Sequence, residues 1–381
     1  MPMCSVDDFL GPDLITGEDT AMEVLQGIVY MLGRGYPRPS HLKLQSPEMD
    51  PAKTKPPRPS NTALGVVVDL SHTSSPHEPR VLFSVNQSRV ETVLSEFWDA
   101  YRAGILTPHH ASRLRGKLFF CLSAAYGMVG RAATLPLVQR QYRDSRHDFH
   151  DGSELHHTLL FFDALLPNLP PLDVPLEPPR VAPLLVYTDA SFWREKRGRD
   201  ECTDAHARLR GALGAVVFDP ESGEVRYAHA LPPWDILLSS WRTDRKTYIA
   251  ELEALAAISV YTTYPSLFAG RRVNHFIDNT VALSAIVHGY SGKPELAKAV
   301  NVFYLQMISL RASVYFDYVP SKANIADLPS REYFSQLRAE LLGLSPPDSS
   351  DPLVVPSVSS WASPLVSWAT RDDTAHMRVP V

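Results

Sequence analysis

Cysteine, long apolar runs and excess positive charge are all scarce in this chain, and each shortage closes off a class of protein. Only three cysteines occur in 381 residues. Cys4, Cys121 and Cys202 stand too far apart for a CxxC metal knuckle, and an odd number speaks against a disulfide framework, so reduced thiols are expected. No stretch approaches the roughly 18 uncharged apolar residues of a membrane span, and the start MPMCSVDDFLGPD has neither the basic residues nor the apolar run of a secretory leader. The expectation is an intracellular protein, cytoplasmic or nuclear. Formal net charge is -5 and pI is near 6.3, so no bulk basic field is available to hold a nucleic acid. Any such binding must come from local patches.

Proline, by contrast, is abundant, with 33 residues that cluster. Residues 37–60 (PRPS, then SPEMDPAKTKPPRPS) carry little apolar content and read as a linker closing an N-terminal segment, 1–60. A second stretch, Leu165 to Pro183 (LLPNLPPLDVPLEPPRVAP), is the best domain boundary in the chain. Between them lie two short strand-like runs, ALGVVVDL and VLFSV. A helix follows, with Ser88 and Glu91 as a capping box and Val90, Leu94, Phe97 and Tyr101 at helical spacing. Thr107-Pro108 opens a second helix through SRLRGKLFFCLSAAY, so 61–164 reads as a small, mostly helical unit. Beyond 183 three strands are expected, LLVYTDAS, RGALGAVVFDP and GEVRYAHAL, the last two joined by a hairpin at ESG. Then come a helix over roughly 247–261, a strand VNHFIDN, a helix VALSAIVHG, a longer helix from Pro294 with Leu296, Val300, Phe303, Met307 and Leu310 on one face, and a strand SVYFDYVP. Three strands followed by alternating helix and strand fit an α/β fold, a mixed five-stranded sheet with flanking helices over 184–342. The tail, 343–381, is rich in serine and proline around Trp361 and Trp368 and reads as disordered.

Within 184–342 four acids stand out: Asp189, Glu251, Asp278 and Asp327. Asp189 closes the apolar run LLVY and so sits at the end of a buried strand, where a carboxylate costs several kcal/mol unless it is paired or bound to metal. Asp278 stands in the same way after NHFI, in the strand-end position where open α/β sheets gather their active groups. Glu251 shares the edge of the helical stripe Leu252, Leu255 and Ile258, whereas Glu253 lies further round and is expected to face solvent. Asp327 follows a strand in ANIADLPSR. Taken singly, each has an ordinary reading as a turn or helix-capping acid. Together they suggest a divalent-metal site.

The order and context of these acids, in VYTDAS, YIAELEAL, FIDNTVAL and VPSKANIADLPSR, with the glycine-containing strand GALGAVVF, resemble the ribonuclease H family, specifically the type 1-like domain of retrotransposon reverse transcriptases. ALGVVVDL and the helical hairpin look, more loosely, like the end of a reverse-transcriptase palm and its thumb and connection, without the polymerase's YxDD-type motif. The resemblance implies an endonuclease that hydrolyses the RNA strand of RNA–DNA hybrids, with the four acids holding two Mg2+ or Mn2+ ions, and with the hybrid, a polymerase and other retroelement proteins as partners. Several cellular members carry a histidine in the loop before the last aspartate; here that loop reads VPSKAN. Product release would then be slower, or Lys322 or Asn324 would contribute.

Phosphate contacts are expected from Arg194, Lys196, Arg197 and Arg199 after the first strand, and from Arg242, Arg245 and Lys246 before the glutamate helix. Arg113, Arg115 and Lys117 form a comparable cluster upstream. Two rivals remain open: an integrase or proofreading exonuclease using acids on the same kind of sheet, and a retroelement remnant that grips nucleic acid without cutting.

Overall fold

The computed structural model describes residues 59–63, 65–75, 79–123, 128–143, 147–177, 180–194, 209–241, 246–344 and 346–361, together with the backbone of 3–4 and 9–10. The chain forms two compact units, Met1–Asn86 with Asp173–Glu177, and Gln87–Leu172 with Pro178–Val381.

In the first unit the run ALGVVVDL is one arm of a hairpin rather than a lone strand. β1 (Ser60–Ala63) pairs antiparallel with β2 (Val66–Asp69), which pairs antiparallel with β3 (Arg80–Val85). Gly65, at φ 84°, supplies the left-handed turn residue between β1 and β2. The fourth strand, β4 (Leu172–Pro175), comes from the proline-rich stretch read above as a linker. Proline is tolerated there because β4 is an edge strand, and Arg80 Nη1 holds its Asp173 at 2.9 Å.

The second unit begins with helices α1 (Gln87–Arg102) and α2 (Pro108–Ser123). α1 starts one residue before Ser88 and buries Val90, Val93, Leu94, Phe97 and Ala100; α2 starts as expected, with Thr107 Oγ1 accepting from His110 N–H at 3.2 Å. Phe97 and Leu114 are fully buried, each such side chain contributing about 1.5–3 kcal/mol. α3 (Leu135–Tyr142) and α4 (Glu154–Leu165) complete this group. It lies in the same compact unit as the elements after the proline-rich stretch: Arg131 Nη1 donates to the His288 carbonyl at 3.2 Å and Lys298 reaches Glu154 at 3.6 Å.

Those elements are β5 (Leu184–Arg194), β6 (Leu209–Asp219), β7 (Glu224–Ala230), α5 (Trp234–Ser240), α6 (Ile249–Thr263), α7 (Pro265–Phe268), β8 (Arg272–Ile277), α8 (Thr280–His288), α9 (Pro294–Leu310), β9 (Ser313–Tyr318), α10 (Asp327–Ser330), α11 (Phe334–Glu340) and β10 (Asp351–Pro352). The sheet order is β9-β8-β5-β6-β7-β10. β5, β6 and β7 form an antiparallel meander, while β8 runs parallel to both β5 and β9. This is the mixed sheet with flanking helices that the residue pattern implies. On one face α10 and α11 close over Val216, Val225 and Tyr227 with Ala326, Leu337 and Leu341. On the other lies α6, buried on every side from Ala250 to Tyr261. Its run of Ala254, Ala256 and Ala257 lets sheet and helix α9 approach closely.

Among the described residues the sheet has six strands rather than five. The sixth, β10, is supplied by the tail expected to be disordered, and pairs parallel with β7. Leu353 N–H donates to the His229 carbonyl at 2.9 Å, Tyr264 hydroxyl donates to Asp351 at 2.8 Å, and Leu353, Val358 and Trp361 are buried. These few apolar side chains offset the ordering of a serine- and proline-rich segment along an otherwise open strand edge. Trp368 lies outside the described residues.

Candidate metal centre

The centre forms where parallel pairing stops. β8 keeps register with β5 only as far as Ile277 opposite Thr188. Asn279 then ends the strand by capping α8, its side chain accepting from Val281 and Ala282 N–H at 3.1 Å each. β5 does not stop there. Asp189 is mid-strand, paired on its other side with Gly214 of β6, so the expectation of a strand end holds for Asp278 and not for Asp189. What brings the two aspartates together is that each is the next residue after the last β5–β8 pair.

Thr188 is fixed through its hydroxyl and its carbonyl. Its hydroxyl meets His275 Nε2 at 2.9 Å, the same ring meets Tyr261 hydroxyl through Nδ1 at 2.9 Å, and Asn324 Nδ2 donates to the Thr188 carbonyl at 3.0 Å. Burial pushes His275 down to about 3, so the ring is neutral, with one nitrogen donating and one accepting. Asn324 is buried and its Oδ1 accepts from Ala326 N–H at 3.2 Å. Both ends of its amide are engaged within the protein. It pins the loop.

The glutamate that reaches the aspartates is Glu253. One oxygen each from Asp189, Glu253 and Asp278 lie within 4.8 Å of one another. Glu253 takes the Ala190 N–H, on the part of β5 that lies past its last pair with β8. Glu251 faces elsewhere: two residues apart on a helix is about 200° of rotation, and its carboxylate lies 4.0 Å from Lys293 Nζ. Both reversed assignments have one cause. The stripe Leu252, Leu255 and Ile258 marks a buried face only if the helix has an exposed one, and α6 has none over 250–261.

Asp327 opens α10 beside this group. α10 lies against β6 because residue 214 has no side chain: a Cβ there would stand 2.4 Å from Ser330 N and 2.8 Å from the Ala326 carbonyl. The close approach lets the buried Ser330 hydroxyl donate to Asp189 Oδ2 and lets Ser191 Oγ donate to the Ser330 carbonyl at 2.8 Å. Asp327 Oδ1 accepts from Arg331 Nε at 2.7 Å.

Burial pushes Asp189 up to about 6, Asp278 and Asp327 add to the rise, and the Ser330 hydroxyl and Arg331 oppose it. Glu253 is driven well above the ordinary carboxylate range, by burial first and then by Asp189 and Asp278. Its Oε2 is buried with no hydrogen-bond partner, a deficit of about 1–3 kcal/mol or more. An all-oxygen donor set of this kind suits a hard divalent cation, Mg2+ or Mn2+. Oxygens on opposite sides of Mg2+ are about 4.2 Å apart, so the observed spacing fits such an ion after small side-chain movements.

No protein-family model matches the chain, and no curated protein does. Among solved structures the likeness is to ribonuclease H domains. The RNase H1 of the halophilic archaeon Halobacterium salinarum NRC-1 is 15% identical, with TM-score 0.28, over 41% of this chain and 99% of that one. The N-terminal RNase H domain of rv2228c from Mycobacterium tuberculosis, solved as a maltose-binding-protein fusion, is 16% identical with TM-score 0.28, over 41% and 96%. LC9-RNase H1, a type 1 RNase H with the type 2 active-site motif, is 17% identical with TM-score 0.29, over 54% and 88%.

Of the basic residues singled out in the sequence, Lys246 and Lys322 are exposed. Lys196, Arg197, Arg199, Arg242 and Arg245 lie outside the described residues, as does the side chain of Arg194. Upstream, Lys117 and Arg113 pair with Glu96, and Arg115 lies over the Phe119 ring at 5.0 Å. Among the described residues no helix is long and apolar enough to cross a membrane.

Proposed function

We propose that residues 184–344, with the strand contributed by the tail, are a metal-dependent nuclease of the ribonuclease H type that hydrolyses the RNA strand of an RNA–DNA hybrid. The observation that carries this reading is the convergence of Asp189, Glu253 and Asp278 within 4.8 Å at the point where β8 ends. Topology supports it: a three-strand meander, then helix, strand, helices and strand, is what the resemblance in VYTDAS, FIDNTVAL and ANIADLPSR implies. Glu253 takes the role that the sequence pattern gave to Glu251.

In this reading Asp189 is the shared carboxylate. Ser330 holds its orientation from one side, and the Asn324–Thr188–His275–Tyr261 chain holds the strand that carries it. Glu253 and Asp278 complete one side of the centre and Asp327 stands on the other. Bound divalent cations would supply activation of water and stabilisation of the leaving oxygen. Selection of RNA requires contacts to 2'-hydroxyls across a minor groove. The remaining upstream region, 61–164, we read as reverse-transcriptase palm-end and thumb-like structure, on the resemblance of its segments alone.

The test is incubation of the purified chain with end-labelled RNA–DNA hybrid and Mg2+ or Mn2+. The RNA strand is expected to be cut by the wild-type protein and left intact by Asp278→Asn and in the presence of a chelator. Cleavage that persists in Asp278→Asn, or none with either cation, would sink the assignment.

A further inference from the structure

Four carboxylates at one place present a problem to a polyanionic substrate, and a cation, Arg331, stands beside one of them. Arg331 lies one turn beyond Asp327 and gives its Nε–H to Asp327 Oδ1 at 2.7 Å, with the side chain 53% exposed. A guanidinium carries five N–H groups in a rigid plane. With Nε committed to the acid, the Nη groups remain as a fork, and the exposure of the side chain leaves them open to solvent. The field of Arg331 is felt at Asp189 as well as at Asp327.

The backbone keeps this arrangement in place. Glu332 has φ 62°, a left-handed conformation at a residue other than glycine. It lets Tyr333 N–H close on the Leu328 carbonyl at 2.8 Å and Glu332 N–H on the Pro329 carbonyl at 3.2 Å, ending α10 in a tight cap. The Glu332 carboxylate lies 3.5 Å from His229 Nε2.

We propose that Arg331 holds a backbone phosphate of the bound nucleic acid next to the carboxylates, through the Nη fork that Asp327 keeps pre-oriented. Asp327 thereby has two tasks, as a member of the acid group and as the anchor of the phosphate-binding residue. A lysine at 331 can carry the charge but cannot bond an acid through one edge and a phosphate through another. The inference rests on the nuclease reading only for the identity of the ligand as a nucleic acid.

The experiment uses the full chain in an Asp278→Asn background, with a fluorescein-labelled RNA–DNA hybrid followed by anisotropy over a range of KCl concentrations in Mg2+. Arg331→Ala is expected to weaken binding about tenfold and to lower the slope of log affinity against log salt by about 1. Arg331→Lys should keep the slope and lose about threefold in affinity. A merely structural arginine would change neither slope, and thermal melting of each variant reports any loss of fold. Unchanged affinity and slope in Arg331→Ala overturn the inference and leave the nuclease reading standing. Arginine-dependent binding by a chain that never cleaves the hybrid overturns the nuclease reading and supports the inference. A wild-type chain that does not bind the hybrid overturns both.

Discussion

Glu251 and Glu253 sit two residues apart on the same helix, are equally buried at 2% exposure, and meet opposite surroundings. Glu251 faces Lys293 at the entrance to α9, where a partly exposed ammonium balances its charge. Glu253 faces Asp189 and Asp278, with the Ala190 N–H to favour its ionised form and one oxygen left without a donor. Burial alone therefore does not mark a site. The informative feature is a buried carboxylate whose neighbours carry the same sign, because such a group is unfavourable until a cation arrives.

Exchanging the two acids for amides tests this contrast most directly. Glu253→Gln is expected to lower kcat for hybrid cleavage by roughly a thousandfold, the several kcal/mol that a metal ligand is worth, and to weaken Mg2+ binding measured by calorimetry. Glu251→Gln should stay within about threefold of wild type, since it alters a pair with a half-exposed lysine. Equal losses in the two variants would erase the distinction drawn here.

Gly214→Ala should come next in size. The added Cβ cannot fit beside Ser330 N at 2.4 Å, so α10 must move away from β6, at a cost of about 1–3 kcal/mol in urea unfolding. Displacing Asp327 and Ser330 from Asp189 by even 1 Å is expected to slow cleavage about a hundredfold. Full activity in this variant would mean that the packing of α10 does not position the centre.

The third effect is on stability. Asp189 at about 6 in the folded chain binds its proton more tightly than in the unfolded chain, as does Glu253. Without divalent cation, stability is then expected to fall as pH rises through the window from about 4 to 6, where the unfolded chain has already released its proton. Mg2+ should reverse the trend, raising Tm more at neutral than at acid pH. Asp189→Asn is expected to flatten the profile measured without metal; a profile unchanged by that substitution would show that the buried acids are not the source.

Much of the fold was legible in residue order because periodicity and caps are local. The Thr107-Pro108 start of α2 and the ESG hairpin both stand where pattern puts them. The failures have physical reasons. Amphipathic reasoning needs one wet face, and α6 offers none, so its stripe points to Glu251 where the fold brings Glu253. Composition pointed to a disordered tail, but Leu353, Val358 and Trp361 find burial there.

Residue order by itself determined that an acid would follow NHFI at the end of its strand and that acids would stand in LLVYTDAS and ADLPSR, because strand and helix signals travel with their neighbours in the chain. Which glutamate joins them, and how closely, was decided only by the tertiary structure. The end of β8 at Ile277, the bare backbone at Gly214 and the enclosure of α6 are relations between segments distant in sequence, and the distances between carboxylates depend on all of them at once.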